Sequence, residues 1–190
     1  MRKLKLYATA LLLTVSLAAC QPPASQQAAD AAATTQDRPG EYTRARTDEE
    51  RALLATFDDL DFNVYTGAHW DQFHRSHAEN IIVHYPDGST TTGLPAHLDR
   101  LRPQFAFAPD TRIQVHPIRI AQGDMTAVTG VMEGTFSQPM QLPNGQTIQP
   151  NGRTFSLSMT TIGRWENGVM VEEWLYWDNQ TFMQQIGLAQ

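Results

Sequence analysis

The 190-residue chain is long enough for one domain of ordinary size with a substantial hydrophobic core. Its formal net charge is −6, and an acidic chain without a basic cluster argues against nucleic acid as a partner. A single cysteine excludes a framework of intrachain disulfides, so packing alone must stabilise the fold.

The N-terminus is typical of an export signal. Three basic residues among the first five precede an apolar run over 6–17, which is too short for a permanent membrane span. The run ends in Leu17–Cys20, a tetrapeptide that resembles the bacterial lipobox. That resemblance implies cleavage before Cys20 and lipid attachment to its thiol. The alternative is an ordinary secretory signal with an incidental cysteine.

These features predict three regions, with boundaries at 1–19 for a lipoprotein signal peptide, 20–46 for a flexible tether and 47–190 for the folded domain. The tether is rich in Ala, Gln, Pro and Thr and has no periodic apolar face. Loss of the signal would change the formal charge from −6 to −9. The predicted location is the cell envelope, anchored by lipid to the membrane. The residue after the cysteine is Gln21 and not Asp, which resembles lipoproteins sorted to the outer membrane. If the source is Gram-negative, the predicted location is therefore the periplasmic face of the outer membrane.

Three helices are predicted before the strand-rich half of the chain. Thr47 and Glu50 fit a capping box at the start of the first, and its apolar stripe consists of Leu53, Leu54, Phe57, Leu60 and Val64. A second short helix is expected over 69–79, with Trp70 facing inward. The third should span 94–101 and stop before Pro103, because a residue preceding proline avoids the α region.

Five strands are predicted, over 80–85, 112–120, 125–136, 154–165 and 170–178. Asn167-Gly168 supplies the two positive-φ positions of a tight hairpin turn before the last strand. The connection 137–153 is either a twisted hairpin extension or a mobile flap. The fold class is therefore α+β, with a curved antiparallel or mixed sheet wrapped around the N-terminal helices to form a cone with a central pocket.

The last strand divides into two faces at period two. One face carries Glu172, Trp174, Tyr176 and Asp178, and the other carries Val171, Glu173, Leu175 and Trp177. Because an acid beside aromatics is typical of a pocket wall, we expect the first face to line the pocket and the second to form an outer surface.

Several segments together resemble the SnoaL-like polyketide cyclase group of the nuclear-transport-factor-2-like superfamily. They are His84-Tyr85-Pro86-Asp87-Gly88, Phe107-Ala108-Pro109-Asp110, Gly123-Asp124, Glu133-Gly134-Thr135, Pro150-Asn151-Gly152-Arg153, Glu172-x-Trp174-x-Tyr176-x-Asp178 and Gln185-Ile186-Gly187-Leu188. The resemblance covers roughly 49–188 and implies a cone-shaped domain. It is more specific for the fold than for chemistry, because the superfamily contains both enzymes and non-enzymes.

The resemblance implies that Asp178 is the general acid/base of an aldol closure, since a carboxylate in a poorly hydrated aromatic pocket has a raised pKa. The alternative is that Asp178 caps the final helix. His84 resembles a pocket histidine of the family and could share a proton with Asp178; a satisfied histidine at a strand end is the alternative.

Four further residues are candidates for ligand binding, namely Trp70, Glu133, Trp174 and Tyr176. Glu133 is either a pocket acid or a rim residue facing water, and His116 is expected to be exposed. His74 and His77 have helical i, i+3 spacing, but no further ligand supports a metal geometry. The sequence therefore predicts no metal and, in the absence of a phosphate-binding loop, no cofactor.

Three functions remain open. The first is an envelope-tethered lipoprotein that binds a small, largely apolar molecule in the cone, with or without catalysis by Asp178. The second is a cofactor-independent cyclase, isomerase or hydrolase, and the third is a non-catalytic envelope interaction module. The predicted partners are a small molecule and the membrane through Cys20. The resemblance adds a homodimer through Val171, Leu175 and Trp177 on the outer face.

Overall fold

The computed structural model describes residues 46–142 and 144–189. The signal peptide, Cys20 and the tether up to residue 45 lie outside them, so these assignments stay predictions. Within the two described ranges, no helix is both long and apolar enough to cross a membrane.

The first helix, α1 (Asp48–Asp59), begins as predicted. Thr47 and Glu50 form the capping box, in which the Thr47 hydroxyl accepts from the Glu50 amide at 3.1 Å and the Glu50 carboxylate accepts from the Thr47 amide at 2.9 Å. The other oxygen of Glu50 accepts from the Gly123 amide at 2.8 Å. The start of α1 is thereby fixed to a turn between two strands. The helix continues into a π-helical turn, Leu60–Tyr65.

The predicted helix over 69–79 is wrong beyond its first half. A 3₁₀ segment covers Trp70–Arg75, and strand β1 (His77–His84) begins two residues later. The Met170 amide donates to the Ser76 carbonyl at 2.7 Å, and His77 lies opposite Met170 in a parallel pairing. This pairing with a distant strand, which local spacing cannot reveal, overrides the helical pattern.

The helix predicted over 94–101 is longer than expected. Helix α2 (Leu94–Phe107) continues through Pro103, which is exposed. Burial of Phe107 and Ala108 against the core favours the continuation. The last helix, α3 (Asn179–Gln185), begins directly after Asp178.

The remaining strands are β2 (Thr90–Thr92), β3 (Arg112–Ile113), β4 (Arg119–Gln122), β5 (Met125–Thr135), β6 (Met140–Gln141), β7 (Thr147–Ile148), β8 (Thr154–Glu166) and β9 (Val169–Trp177). The main sheet has the order β2-β1-β9-β8-β5-β3, and β4 also pairs with β5. Only the β1–β9 pairing among these is parallel. The α+β prediction is confirmed, with a mixed, mostly antiparallel sheet.

The predicted strand over 112–120 is interrupted. Within this range only β3 and β4 are paired, both with β5, and the chain between them leaves the sheet around Pro117. His116 lies in this interruption, and its side chain is only 1% exposed, so the expectation of an exposed histidine is wrong. Because the chain is unpaired between β3 and β4, the period-two alternation does not apply there, and the His116 imidazole lies between Asp58 and Asp61.

The connection 137–153 contains a short hairpin, β6–β7, with its turn around Gly145. Its base is held by the Asn151 side chain, which donates to the Ile186 carbonyl at 2.8 Å. Of the two alternatives, the described residues therefore favour the hairpin extension.

The two faces of β9 are reversed relative to the prediction. Glu173, Leu175 and Trp177 point inward, whereas Tyr176 is 51% exposed on the outer surface. The pairing with β8 shifts between Arg164 and Trp165, which indicates a bulge near Val171. Because both faces carry large aromatic residues, period two alone does not say which one is buried. The surface predicted for dimer contacts is therefore largely interior.

Candidate functional site

An interior cavity of about 130 Å³ lies between the sheet and the helices. Most of its wall is apolar, formed by Leu60, Leu101, Ile113, Met132, Met159 and Leu175. Ionisable side chains interrupt that wall, among them Asp61, His77, His97 and Glu173. An apolar cavity with a few convergent polar groups is the usual form of a small-molecule site.

Three of these side chains converge from different elements. His77 begins β1, His97 lies on α2, and Glu173 lies on the inner face of β9. The Nε2 atoms of His77 and His97 stand 3.8 and 3.6 Å from Glu173 Oε2. All three residues are at most 4% exposed. Their burial together makes this the most strongly desolvated ionisable cluster among the described residues.

Neighbouring hydroxyl groups orient both imidazoles. His77 Nδ1 lies 2.9 Å from Ser76 Oγ, and His97 Nδ1 lies 2.9 Å from the Tyr85 hydroxyl. Burial lowers the pKa of His97 to about 4. Burial disfavours the charge of Glu173, but the two imidazoles beside it outweigh that effect and keep its pKa below the usual value.

Asp61 belongs to a second polar group beside the cavity. Its carboxylate accepts from His116 Nε2 at 2.9 Å, while His116 Nδ1 donates to Asp58 at 2.8 Å. Burial opposes the charge of His116, but its two carboxylate partners raise its pKa. Burial also raises the pKa of Asp61, despite the opposing effect of His116. Asp61 thus combines a place in the cavity wall with a carboxyl group that retains its proton more readily than usual.

Asp178 lies outside the interior cavity, at the N-cap of α3. One carboxylate oxygen accepts from the Gln180 and Thr181 amides at 2.8 and 3.1 Å, and the other accepts from the Thr181 hydroxyl at 2.7 Å. These hydrogen bonds lower its pKa. The geometry matches the helix-cap alternative, and the lowered pKa opposes proton exchange near neutral pH.

His84 also lies outside the interior cavity. Its Nε2 atom is 2.9 Å from Glu172, and its ring stacks on Trp174 with 5.3 Å between centroids. Both neighbours lie on the outer face of β9, where Arg164 completes the cluster at 3.3 Å from Glu172. This matches the alternative of a satisfied strand-end histidine.

The other predicted ligand-binding residues are also dispersed. Glu133 lies on the outer side of β5 and pairs with Arg112 at 3.0 Å, as a rim residue would. Trp70 packs on Phe73 and Phe105, behind the cavity wall. Tyr176 and Asp178 line a separate open groove on the outer surface. The structure therefore does not bring the predicted site residues together in the cavity.

The sequence prediction missed Glu173, His97, Asp61 and the strand position of His77. One signal was present in the sequence: Glu173 alternates with Leu175 and Trp177, and an acid on an otherwise apolar strand face needs an interior partner. The partners themselves could not be found, because β1 and α2 meet Glu173 only in three dimensions.

The family model of the SnoaL-like polyketide cyclases matches residues 60–186. The chain belongs to this family. The matched range starts in the π-helical turn that carries Asp61 and ends after α3, so it includes every residue of the interior cluster. Among curated protein sequences, none matches the chain.

Solved structures show the same fold. A SnoaL-like protein from Jannaschia sp. CCS1, described as a candidate polyketide cyclase, is 17% identical with a TM-score of 0.66, over 77% of this chain and 99% of its own. IdmH from Streptomyces antibioticus, also described as a candidate cyclase, is 23% identical with a TM-score of 0.61, over 71% and 98%. AclR from Streptomyces galilaeus, described as a candidate hydroxylase, is 15% identical with a TM-score of 0.59, over 75% and 83%. These likenesses establish the fold alone.

Proposed function

We propose that this SnoaL-like domain binds a small, largely apolar molecule carrying a hydroxyl or carbonyl group in its interior cavity. The observation that carries the proposal is the cavity itself, whose apolar wall is interrupted by ionisable groups from four elements. The apolar wall favours a ring or short chain, and the polar cluster orients an oxygen atom on it. A volume of about 130 Å³ fits a molecule with a single aromatic ring.

Acid–base chemistry in this cavity is assigned to Asp61 rather than Asp178. Asp61 lines the wall, is hydrogen-bonded to His116, and has a raised pKa because it is buried. Asp178 has the lowered pKa of a cap. A carbonyl oxygen in the cavity could accept a proton from Asp61, while His116 holds the carboxyl in place. This role adds catalysis to the binding function. It corresponds to the cyclase or isomerase alternative, with Asp61 in place of Asp178.

The binding proposal is tested with 4-fluorophenol as the probe and ¹⁹F NMR as the readout. The protein should broaden and shift the probe signal in a saturable manner. Leu175→Trp fills the cavity and should abolish the effect, whereas Val115→Trp adds the same side chain at a position that is 48% exposed and should preserve it. Equal binding by both variants would place the probe elsewhere and overturn the proposal.

Tethering to the envelope is proposed on the sequence of the N-terminus alone. Cys20 is the single cysteine, and together with the preceding Leu17–Ala19 it resembles a bacterial lipobox. Cys20→Ser should move the protein from the membrane fraction to the soluble fraction of its host cell. Equal recovery of wild type and variant from the membrane fraction would contradict lipid attachment at this residue.

A further inference from the structure

The contacts of His77, His97 and Glu173 leave unpaired polar atoms facing one another. His77 Nε2 and Glu173 Oε2 are both buried without a hydrogen-bond partner among the described residues. The candidate ligand atoms of the three side chains all lie within 4.8 Å of one another. Buried polar atoms in folded proteins are nearly always paired, so a cluster of this kind calls for an explanation.

Ser76 contacts His77 and the preceding turn through one hydroxyl. Ser76 Oγ lies 3.2 Å from the Phe73 carbonyl and 2.9 Å from His77 Nδ1. When the Ser76 proton is donated to the Phe73 carbonyl, His77 Nδ1 donates to Ser76 Oγ, and the neutral imidazole then has its lone pair on Nε2, 3.8 Å from Glu173 Oε2. In that tautomer two acceptors face each other without a proton between them.

His97 presents its Nε2 atom to the same oxygen. Its Nδ1 atom is held by the Tyr85 hydroxyl, which also lies 3.1 Å from Thr91 Oγ1. In metal-binding histidines the other ring nitrogen is likewise hydrogen-bonded, usually to a carboxylate, a backbone carbonyl or water, and here a hydroxyl occupies that place. Both histidines have such a support, on different elements.

We propose that His77, His97 and Glu173 bind a divalent transition-metal ion. Two histidines and one glutamate form the ligand set of catalytic zinc sites and resemble the facial triad that binds Fe²⁺. In a tetrahedral zinc site with bonds of about 2.0–2.2 Å, ligand atoms stand roughly 3.3–3.5 Å apart. The observed 3.6 and 3.8 Å exceed this range by a few tenths of an ångström, which small side-chain rotations can close.

The site opens on one side. All three residues line the interior cavity, so a bound ion would have protein ligands on one side and the cavity on the other. Catalytic metal sites keep such an open position, in which the ion acts as a Lewis acid on a carbonyl oxygen or on water. The site shares the cavity of the proposed function, but its test needs no organic ligand, so either proposal can fail alone.

Metal binding is measured on the folded domain with Zn²⁺ by calorimetry and with Co²⁺ by visible absorption. We expect one ion per chain, and Co²⁺ absorption bands characteristic of mixed nitrogen and oxygen ligands. His77→Ala, His97→Ala and Glu173→Gln should each reduce affinity at least a hundredfold. Tyr85→Phe removes only a support and should reduce affinity about 10- to 100-fold, with the Co²⁺ bands retained.

Two variants serve as matched controls. His74→Ala removes an exposed histidine whose Nδ1 bonds the Asp71 carbonyl, and Glu172→Gln changes the carboxylate next to Glu173 on the opposite face. Both should bind one ion with the affinity of the wild type. Circular dichroism shows whether each variant is folded, and Glu173→Gln keeps the shape of the side chain where an alanine variant fails to fold. Absence of stoichiometric binding in the wild type, or equal loss in His74→Ala, would overturn the proposal.

Discussion

Two aspartates show how the surroundings of a residue decide its chemistry. Asp61 is enclosed beside the cavity and has a raised pKa, mainly because burial disfavours its charge. Asp178 has a lowered pKa, because the Thr181 hydroxyl and two backbone amides stabilise its charge. The sequence showed only that Asp178 stands beside aromatic residues. Whether those aromatics enclose the carboxylate depends on the face of β9 that is buried.

The lowered pKa of Asp178 has a consequence for stability. The folded pKa lies below the unfolded value near 3.8, so the cap contributes stability above that value and loses it as the pH falls through the folded pKa. An NMR titration should find Asp178 below 3.8. Between the unfolded pKa near 3.8 and the lower folded pKa, Asp178→Asn should lose less thermal stability on acidification than the wild type. A pKa above 3.8 would contradict the cap and return Asp178 to the catalytic candidates.

At the scale of elements, the start of α1 is joined to the sheet through one side chain. Glu50 is 2% exposed and accepts from both the Thr47 amide and the Gly123 amide. The capping box therefore aligns the helix, and the π-helical turn that follows it, with the β4–β5 turn. Through this alignment, Asp61 is held at the cavity wall.

Removal of the cap should weaken this connection. Thr47→Ala deletes the hydroxyl that accepts from the Glu50 amide and should lower the free energy of unfolding by about 1 kcal/mol. Thr92→Ala, on the exposed β2 strand, is the control and should change stability by less than about 0.5 kcal/mol. Denaturant unfolding measures both. An equal effect of the two changes would show that the cap is not a determinant of stability.

Elements with a local cause were predictable. The capping box located α1, and Asn167-Gly168, with φ values of 51° and 83°, formed the hairpin turn before β9. Elements that depend on contacts between residues distant in sequence were not predictable. Helix α2 passes Pro103 because its far end packs into the core, and β1 begins at His77 because a distant strand pairs with it.

The candidate site was harder to predict than the fold for the same reason. Each member of the interior cluster has an unremarkable local sequence, and only tertiary packing brings His77, His97 and Glu173 within reach of one another. The bulge near Val171 also interrupts the alternation of β9, so that Met170 and Glu173 are both buried. A solitary glutamate on an apolar strand face was the one local sign.

At the scale of the molecule, membership of the SnoaL-like family and the mixed sheet account for the cone and its cavity. The outer surface carries the residues expected to act on substrate, including His84 and Asp178, while the cavity carries a buried polar cluster. We propose that ligands bind in the interior cavity and not in the outer groove.

The most direct test uses the methionine methyl groups as reporters. Met132 and Met159 both line the interior cavity, but only Met159 also borders the outer groove. With ¹³C-methyl methionine and 4-fluorophenol, we expect saturable shifts of both signals with one dissociation constant. A shift of Met159 without Met132 would place the ligand in the outer groove and contradict binding in the interior cavity.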